Sequence, residues 1–204
     1  MLCHVRLYLG KQVIRLNRYA CRRVCRYDVM PVDERVSVMV AELTALVLHD
    51  MQEHDIGPVC ALIGEAMNEA EARWAGQTFE SHFASRAHGL DDGRHYYTCP
   101  GDSGVRAIGG LHHYAWGPDE NVWLAWFAVH PDYQRQGIGR RVLAELEARA
   151  REAGYHKFFI ETYDHPDFAS ARYFYKACGF VQDGRIPNYL PGGEDMLVYS
   201  KMLS

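Results

Sequence analysis

No apolar run in the chain approaches the roughly 18 residues that a membrane-spanning helix requires, so no helical span is expected. No two of its six cysteines (3, 21, 25, 60, 99 and 178) are spaced Cys-x-x-Cys, and the first residues do not read as a secretory leader. Reduced thiols and a cytoplasmic location are therefore expected. Cys21 and Cys25 could share a helix face, but no further His or Cys stands at ligand spacing, and no metal is expected. A G-x-x-x-x-G-K-[ST] nucleotide loop is missing, and so is the G-x-G-x-x-G dinucleotide fingerprint. Excess positive charge is missing too: the net charge of −4 weighs against bulk nucleic-acid binding.

What remains is an ordinary globular balance, 48% apolar and 24% charged over 204 residues, enough for one well-buried domain. Charge is uneven. Residues 1–36 hold eight Lys or Arg against three acids. This segment has no clear hydrophobic period, so 1–42 reads as a basic extension expected to be poorly ordered, ahead of one domain over 43–204.

Within that domain, Leu43 to His49 reads as a first strand. Asp55 is placed to cap a helix running to about Ala72, with Val59, Leu62, Ile63, Ala66 and Met67 at helical spacing. Thr78 opens a second short helix through about Ala87. Arg94–Cys99 and Val105–Tyr114 flank a Gly- and Pro-rich turn and read as a hairpin. The His112-His113 pair reads as strand surface. A strand over 121–129, a helix from Arg141 to Gly154 and a strand over Phe158–Thr162 follow, and such a unit must be parallel and right-handed. Helix 168–177, strand 180–183 and strand 197–202 complete an α/β mixed central sheet flanked by helices, in the order β-α-α-β-β-β-α-β-α-β-β.

The informative string is Val129-His130-Pro131-Asp132-Tyr133-Gln134-Arg135-Gln136-Gly137-Ile138-Gly139-Arg140, between strand and helix. A Gly-rich turn there leaves the first helical N–H groups without partners and lets a ligand approach bare backbone. The helix dipole adds positive partial charge, which suits phosphate. Its Q-x-x-G-x-G pattern resembles the acetyl-CoA pyrophosphate loop of the GNAT superfamily of N-acetyltransferases. A second string, Ala171-Arg172-Tyr173-Phe174-Tyr175-Lys176-Ala177-Cys178-Gly179-Phe180, is similar to the family pattern that sets a Tyr four residues before Gly-Phe. The weaker string Gly184-Arg185-Ile186-Pro187-Asn188-Tyr189 agrees. Where many members carry Asn seven residues before the Tyr, this chain has Phe168.

The resemblance implies a GNAT-like fold, acetyl-CoA as co-substrate, and transfer of its acetyl group to a primary amine by direct attack in a ternary complex. It places the coenzyme on Phe127, Ala128, Val129, Gln134, Arg135, Gln136, Gly137, Ile138, Gly139 and Arg140, with Arg141 adding charge. Ser170 and Arg172 follow on the next helix, Ser170 as a substitute polar group beside Phe168. Tyr175 is the implied general acid and Glu161, at the end of its strand, the candidate base; Asp119 and Glu120 are alternatives. Trp123, Trp126, Tyr163 and Tyr189 are candidate walls of an acceptor pocket. No Cys or Ser in the motifs is placed as a covalent nucleophile. The partners expected are acetyl-CoA and a small amine or protein amino group, with no membrane and no nucleic acid, and a homodimer stays open. The rival reading is a non-catalytic acyl-CoA-binding or regulatory domain.

Overall fold

A computed structural model describes residues 6–9, 12–15, 46–101 and 104–203. The chain divides into two compact units, Met1–Ala45 and Leu46–Ser204. In the first, β1 (Arg6–Leu9) pairs antiparallel with β2 (Gln12–Arg15), Arg6 opposite Arg15 and Leu9 opposite Gln12. The rest of the basic extension, and residues 43–45 of the expected first strand, lie outside the described residues. Of that strand only its end is seen as such, in β3 (His49–Asp50).

The second unit follows the expected order. β3 is followed by a 3₁₀ turn, α1 (Ile56–Ala66), α2 (Glu69–Ala87), β4 (Arg94–Pro100), β5 (Val105–His112) and β6 (Asn121–Val129). Then come α3 (Ile138–Glu152), β7 (Lys157–Tyr163), α4 (Ala169–Ala177), β8 (Val181–Ile186) and β9 (Met196–Met202). The seven strands form one sheet in the order β3-β4-β5-β6-β7-β9-β8. Every pairing is antiparallel except β6 with β7, which is parallel as the intervening helix demands.

Adjacent strand residues point to opposite faces, and this alternation splits the core in two. Tyr97, Ala107 and Leu111 pack with Val142, Leu143 and Leu146 of α3 and Tyr175 of α4. Tyr96 and Ile108 pack with Val59, Leu62 and Ile63 of α1 and Ala75 and Phe79 of α2. Truncating a fully buried side chain such as Leu146 to Ala would cost about 2–5 kcal/mol.

Three local expectations need correction. The helix from Asp55 does not run to Ala72; it stops at Ala66, and Asn68 starts a new helix by accepting the Glu71 N–H on its side-chain oxygen at 2.9 Å. The second helix therefore starts at Glu69 rather than Thr78. Asp55 does not cap α1 with its side chain, which accepts the Gln52 N–H at 2.8 Å instead. On α3 Glu145 pairs with Arg149 and Glu147 with Arg151 at i,i+4, and the buried Glu147 also accepts from Lys201 Nζ of β9 at 2.8 and 2.9 Å.

Candidate active site

β6 and β7 pair only at Asn121–Lys157, Val122–Phe158 and Trp123–Phe159, and then part. On its other side β6 carries a bulge: Ile108 faces Ala128 and Gly110 faces Ala125, so Trp126 and Phe127 share the single partner Gly109. The bulge changes which residues face α3. Before it the even-numbered Val122 and Leu124 pack toward that helix; after it the odd-numbered Phe127 and Val129 do. From Leu124 onward the β7-facing edge of β6 has no strand partner among the described residues. The gap between the parting strands is a cleft of about 940 Å³ at the carboxyl end of β6, the place where ligands bind in sheets of this kind.

The Gly loop forms one end of the cleft. Gly137 adopts φ +78°, a left-handed conformation that other residues resist, and a Cβ built on it meets nothing within 4 Å. It caps the 15-residue α3, whose first N–H groups are open to an anion. Gln134, Arg135, Gly137, Ile138, Gly139 and Arg140 all line the cleft, and Arg135 is itself held at φ +61°. Gln134 also ties the loop to β6, donating to the Val129 carbonyl at 3.0 Å. This set fits a pyrophosphate. Phe127, Ala128, Val129 and Ser170 line the same space, as does Phe168.

Two side chains expected at the coenzyme are engaged by other groups. Gln136 is not on the cleft wall; it donates to the Asp132 carbonyl at 2.9 Å. Arg172 donates to the carbonyls of Tyr163 and His165, both at 2.7 Å, and lies 3.5 Å from Asp164. It fastens α4 to the end of β7.

Tyr175 and Glu161 both face the cleft, from α4 and β7. Tyr175 is buried among Phe127, Phe174, Phe180 and Tyr199, and burial pushes its phenol well above the usual range. It therefore stays protonated. Glu161 stands on the open wall with its side chain accessible to water, and partial desolvation raises its carboxyl. Asp119 and Glu120 are not in the cleft: they precede β6, at its opposite end.

Trp123, Trp126 and Tyr163 line the cleft, and Tyr189 stacks on Tyr163 with ring centroids 6.0 Å apart. Burial, with the nearby Glu161, Tyr189 and Glu71, pushes the Tyr163 phenol up to about 12. His112 is half-buried on the wall rather than on the outer surface, and burial lowers its imidazole to about 4, leaving it neutral. The sequence reading missed Glu71, Trp74 and Arg94, which also line the cleft. The first two were hidden by the misplaced start of α2.

Among the described residues no group of three or more His, Cys, Asp or Glu could hold a metal, and no helix is long and apolar enough to cross a membrane.

Residues 61–180 match the profile of the acetyltransferase (GNAT) family. Comparison with curated sequences gave no match. Solved structures agree on the fold. A GNAT-family protein from Desulfovibrio desulfuricans superposes with a TM-score of 0.70 at 23% identity, covering 78% of this chain and 100% of that one. The ribosomal-protein-S18-alanine N-acetyltransferase of Escherichia coli gives 0.61 at 21%, covering 78% and 95%. An aminoglycoside 6'-N-acetyltransferase complexed with coenzyme A gives 0.62 at 13%, covering 78% and 98%. The profile spans more than half of the sequence and includes both the Gly loop and Tyr175, so the chain belongs to the GNAT acetyltransferase family.

Proposed function

We propose that the protein transfers the acetyl group of acetyl-CoA to a primary amine by direct attack within a ternary complex. The observation that carries this reading is the polarity of one continuous cleft. Arg135 and Arg140 stand beside an open helix N-terminus at one end, and a desolvated carboxylate, Glu161, stands on the β7 wall.

Acetyl-CoA supplies the activated thioester carbon. Backbone N–H groups of residues 135–140 and the Arg135 and Arg140 guanidinium groups hold the pyrophosphate. The free edge of β6 beyond Trp123 offers backbone groups to the amides of the coenzyme arm, and a backbone N–H of Ala128 or Val129 steadies the developing oxyanion, worth about 3 kcal/mol. The Phe168 side chain brings no hydrogen-bonding group to that arm; Ser170 is the polar neighbour. Glu161 takes the proton that makes the amine nucleophilic, a task favoured by a pKa raised toward neutrality. Tyr175, kept protonated by burial, gives its proton to the departing sulfur. No covalent acyl-enzyme is needed.

The test is turnover: purified protein, acetyl-CoA and a panel of primary amines, with the free CoA thiol as readout. Amine-dependent thiol release supports the reading. Tight acetyl-CoA binding with no release on any amine, peptide N-termini included, would favour the non-catalytic binding domain.

A further inference from the structure

Glu71, Trp74 and Thr78 fall at positions i, i+3 and i+7 of α2, so they form one stripe, and all three line the cleft. Glu161 and Tyr163 line it from β7. Glu71 and Glu161 have no ion pair and no side-chain hydrogen bond among the described residues. A desolvated carboxylate left unpaired is costly, and a cation from outside relieves that cost. Aromatic surface surrounds both. Trp74 presents a half-exposed indole one turn from Glu71, and Tyr163 and Tyr189 are stacked beside Glu161. Carboxylate and aromatic face together suit an ammonium group. Arg94 is on the same wall, but its guanidinium lies 3.3 Å from Asp92, which offsets its charge. Asp92 is fixed in that role by His82, whose Nδ1 lies 2.8 Å from it.

A further group on this wall points to a ligand. Tyr96 lines the cleft, its side chain is buried, and its hydroxyl has no hydrogen-bond partner among the described residues. Buried hydroxyls are nearly always satisfied, so an incoming polar group is the natural partner.

We infer that the acceptor carries two amino groups, one presented to Glu161 for acylation and a second held as an ammonium by Glu71 against Trp74. This rests on the amine-acetyltransferase reading above and goes beyond it by naming the acceptor class, a short flexible diamine or polyamine, and Glu71 as the residue that selects it. Burial raises the Glu71 carboxyl, and an ammonium beside it would draw it back toward the charged form.

The experiment is calorimetric titration of the protein saturated with coenzyme A at neutral pH, so that no chemistry is required. Linear α,ω-diamines of three to eight methylenes are each compared with the monoamine and the ω-aminocarboxylate of equal length. At the fitting length the diamine should bind at least about tenfold more tightly than the monoamine, the scale of one charged hydrogen-bonded contact. Glu71→Gln should bring the two within about twofold, and Glu71→Lys should reverse the order, with thermal melting confirming the fold of both variants. Equal binding at every length, a preference for the aminocarboxylate through Arg94, or a diamine preference that survives Glu71→Gln overturns the inference. Turnover on the same amines separates the two readings. Glu71-dependent diamine binding without acetylation would keep the subsite and remove the acetyl-transfer function.

Discussion

Arg140, in the first turn of α3, donates from both terminal guanidinium nitrogens to the carbonyl of Ala177, at 3.3 Å each. Ala177 is the last residue of α4, so the contact caps a helix end with positive charge, where the helix dipole favours it. The same side chain lines the cleft beside the Gly loop. One guanidinium thus links the proposed coenzyme site to the helix that carries Tyr175.

Removing that link should be felt twice. Arg140→Met keeps the apolar stem and deletes the fork. Calorimetry should show coenzyme A affinity falling by about tenfold, the value of one charged contact, and melting should show a loss of about 1 kcal/mol from the uncapped carbonyl. A variant with unchanged stability would mean that the Ala177 contact is incidental.

The two glycines of the loop should respond in opposite ways. Gly137→Val forces a β-branched residue into φ +78° and projects it into the open cleft, so coenzyme affinity should drop by an order of magnitude or more, with about 1–2 kcal/mol of strain. At Gly139 an added Cβ meets Phe174 and Val129 at an ordinary 3.6 Å. Gly139→Ala should therefore stay within about 0.5 kcal/mol of wild-type stability. Thermal melting of both proteins settles the comparison, and equal melting temperatures would show that φ at Gly137 carries no strain.

Tyr175→Phe keeps the ring and its packing but removes the proton offered to the leaving sulfur. kcat on a good amine should fall by roughly 10²-fold while coenzyme affinity holds. Because the ring is buried in an aromatic cluster, stability is measured alongside. Wild-type turnover per folded molecule would take Tyr175 out of the chemistry.

Glu161 links activity to pH and stability in opposite senses. Its carboxyl is raised by desolvation, so activity that depends on the carboxylate should climb with pH through that elevated value. Between the unfolded and folded pKa the native state binds more protons than the unfolded chain, so stability from this residue is lost as pH rises through the window. Glu161→Gln imitates the protonated form. It should lower kcat by 10²-fold or more, roughly, erase the acidic limb of the rate profile, and raise the melting temperature at neutral pH. Rate profiles and melts over the same pH range test both parts, and a variant less stable than wild type would contradict the desolvation account.

Much of this site was legible because its signals are local. The Gly loop needs no tertiary information: Gly137 and Gly139 between an apolar strand and an amphipathic helix already imply the turn. Tyr175 came from its fixed distance to Gly179-Phe180. Contacts made by long side chains were not legible. The sequence position of Arg172 suggests the coenzyme, but its guanidinium is spent on the carbonyls of Tyr163 and His165. The break between α1 and α2 was obscured because Ala66 and Met67 continue the apolar period and no Gly or Pro marks the stop; a single Asn68 side chain makes the cap. Displacing that start hid Glu71 and Trp74, the residues on which the acceptor inference depends.

The three residue pairs that join β6 to β7 have a mechanical meaning. Four strands stand on one side of that seam and three on the other. They form two leaves bound along one short edge, with Trp123 stacked on Phe159 at its end, 4.8 Å between ring centroids. Past this binding no further strand pairing among the described residues holds the leaves at a fixed spacing. A molecule that hydrogen-bonds along the open edge of β6 would act as a stitch across the spine. Amide hydrogen exchange in β7 and β9, strands remote from the Gly loop in sequence, should then slow together when coenzyme A is added.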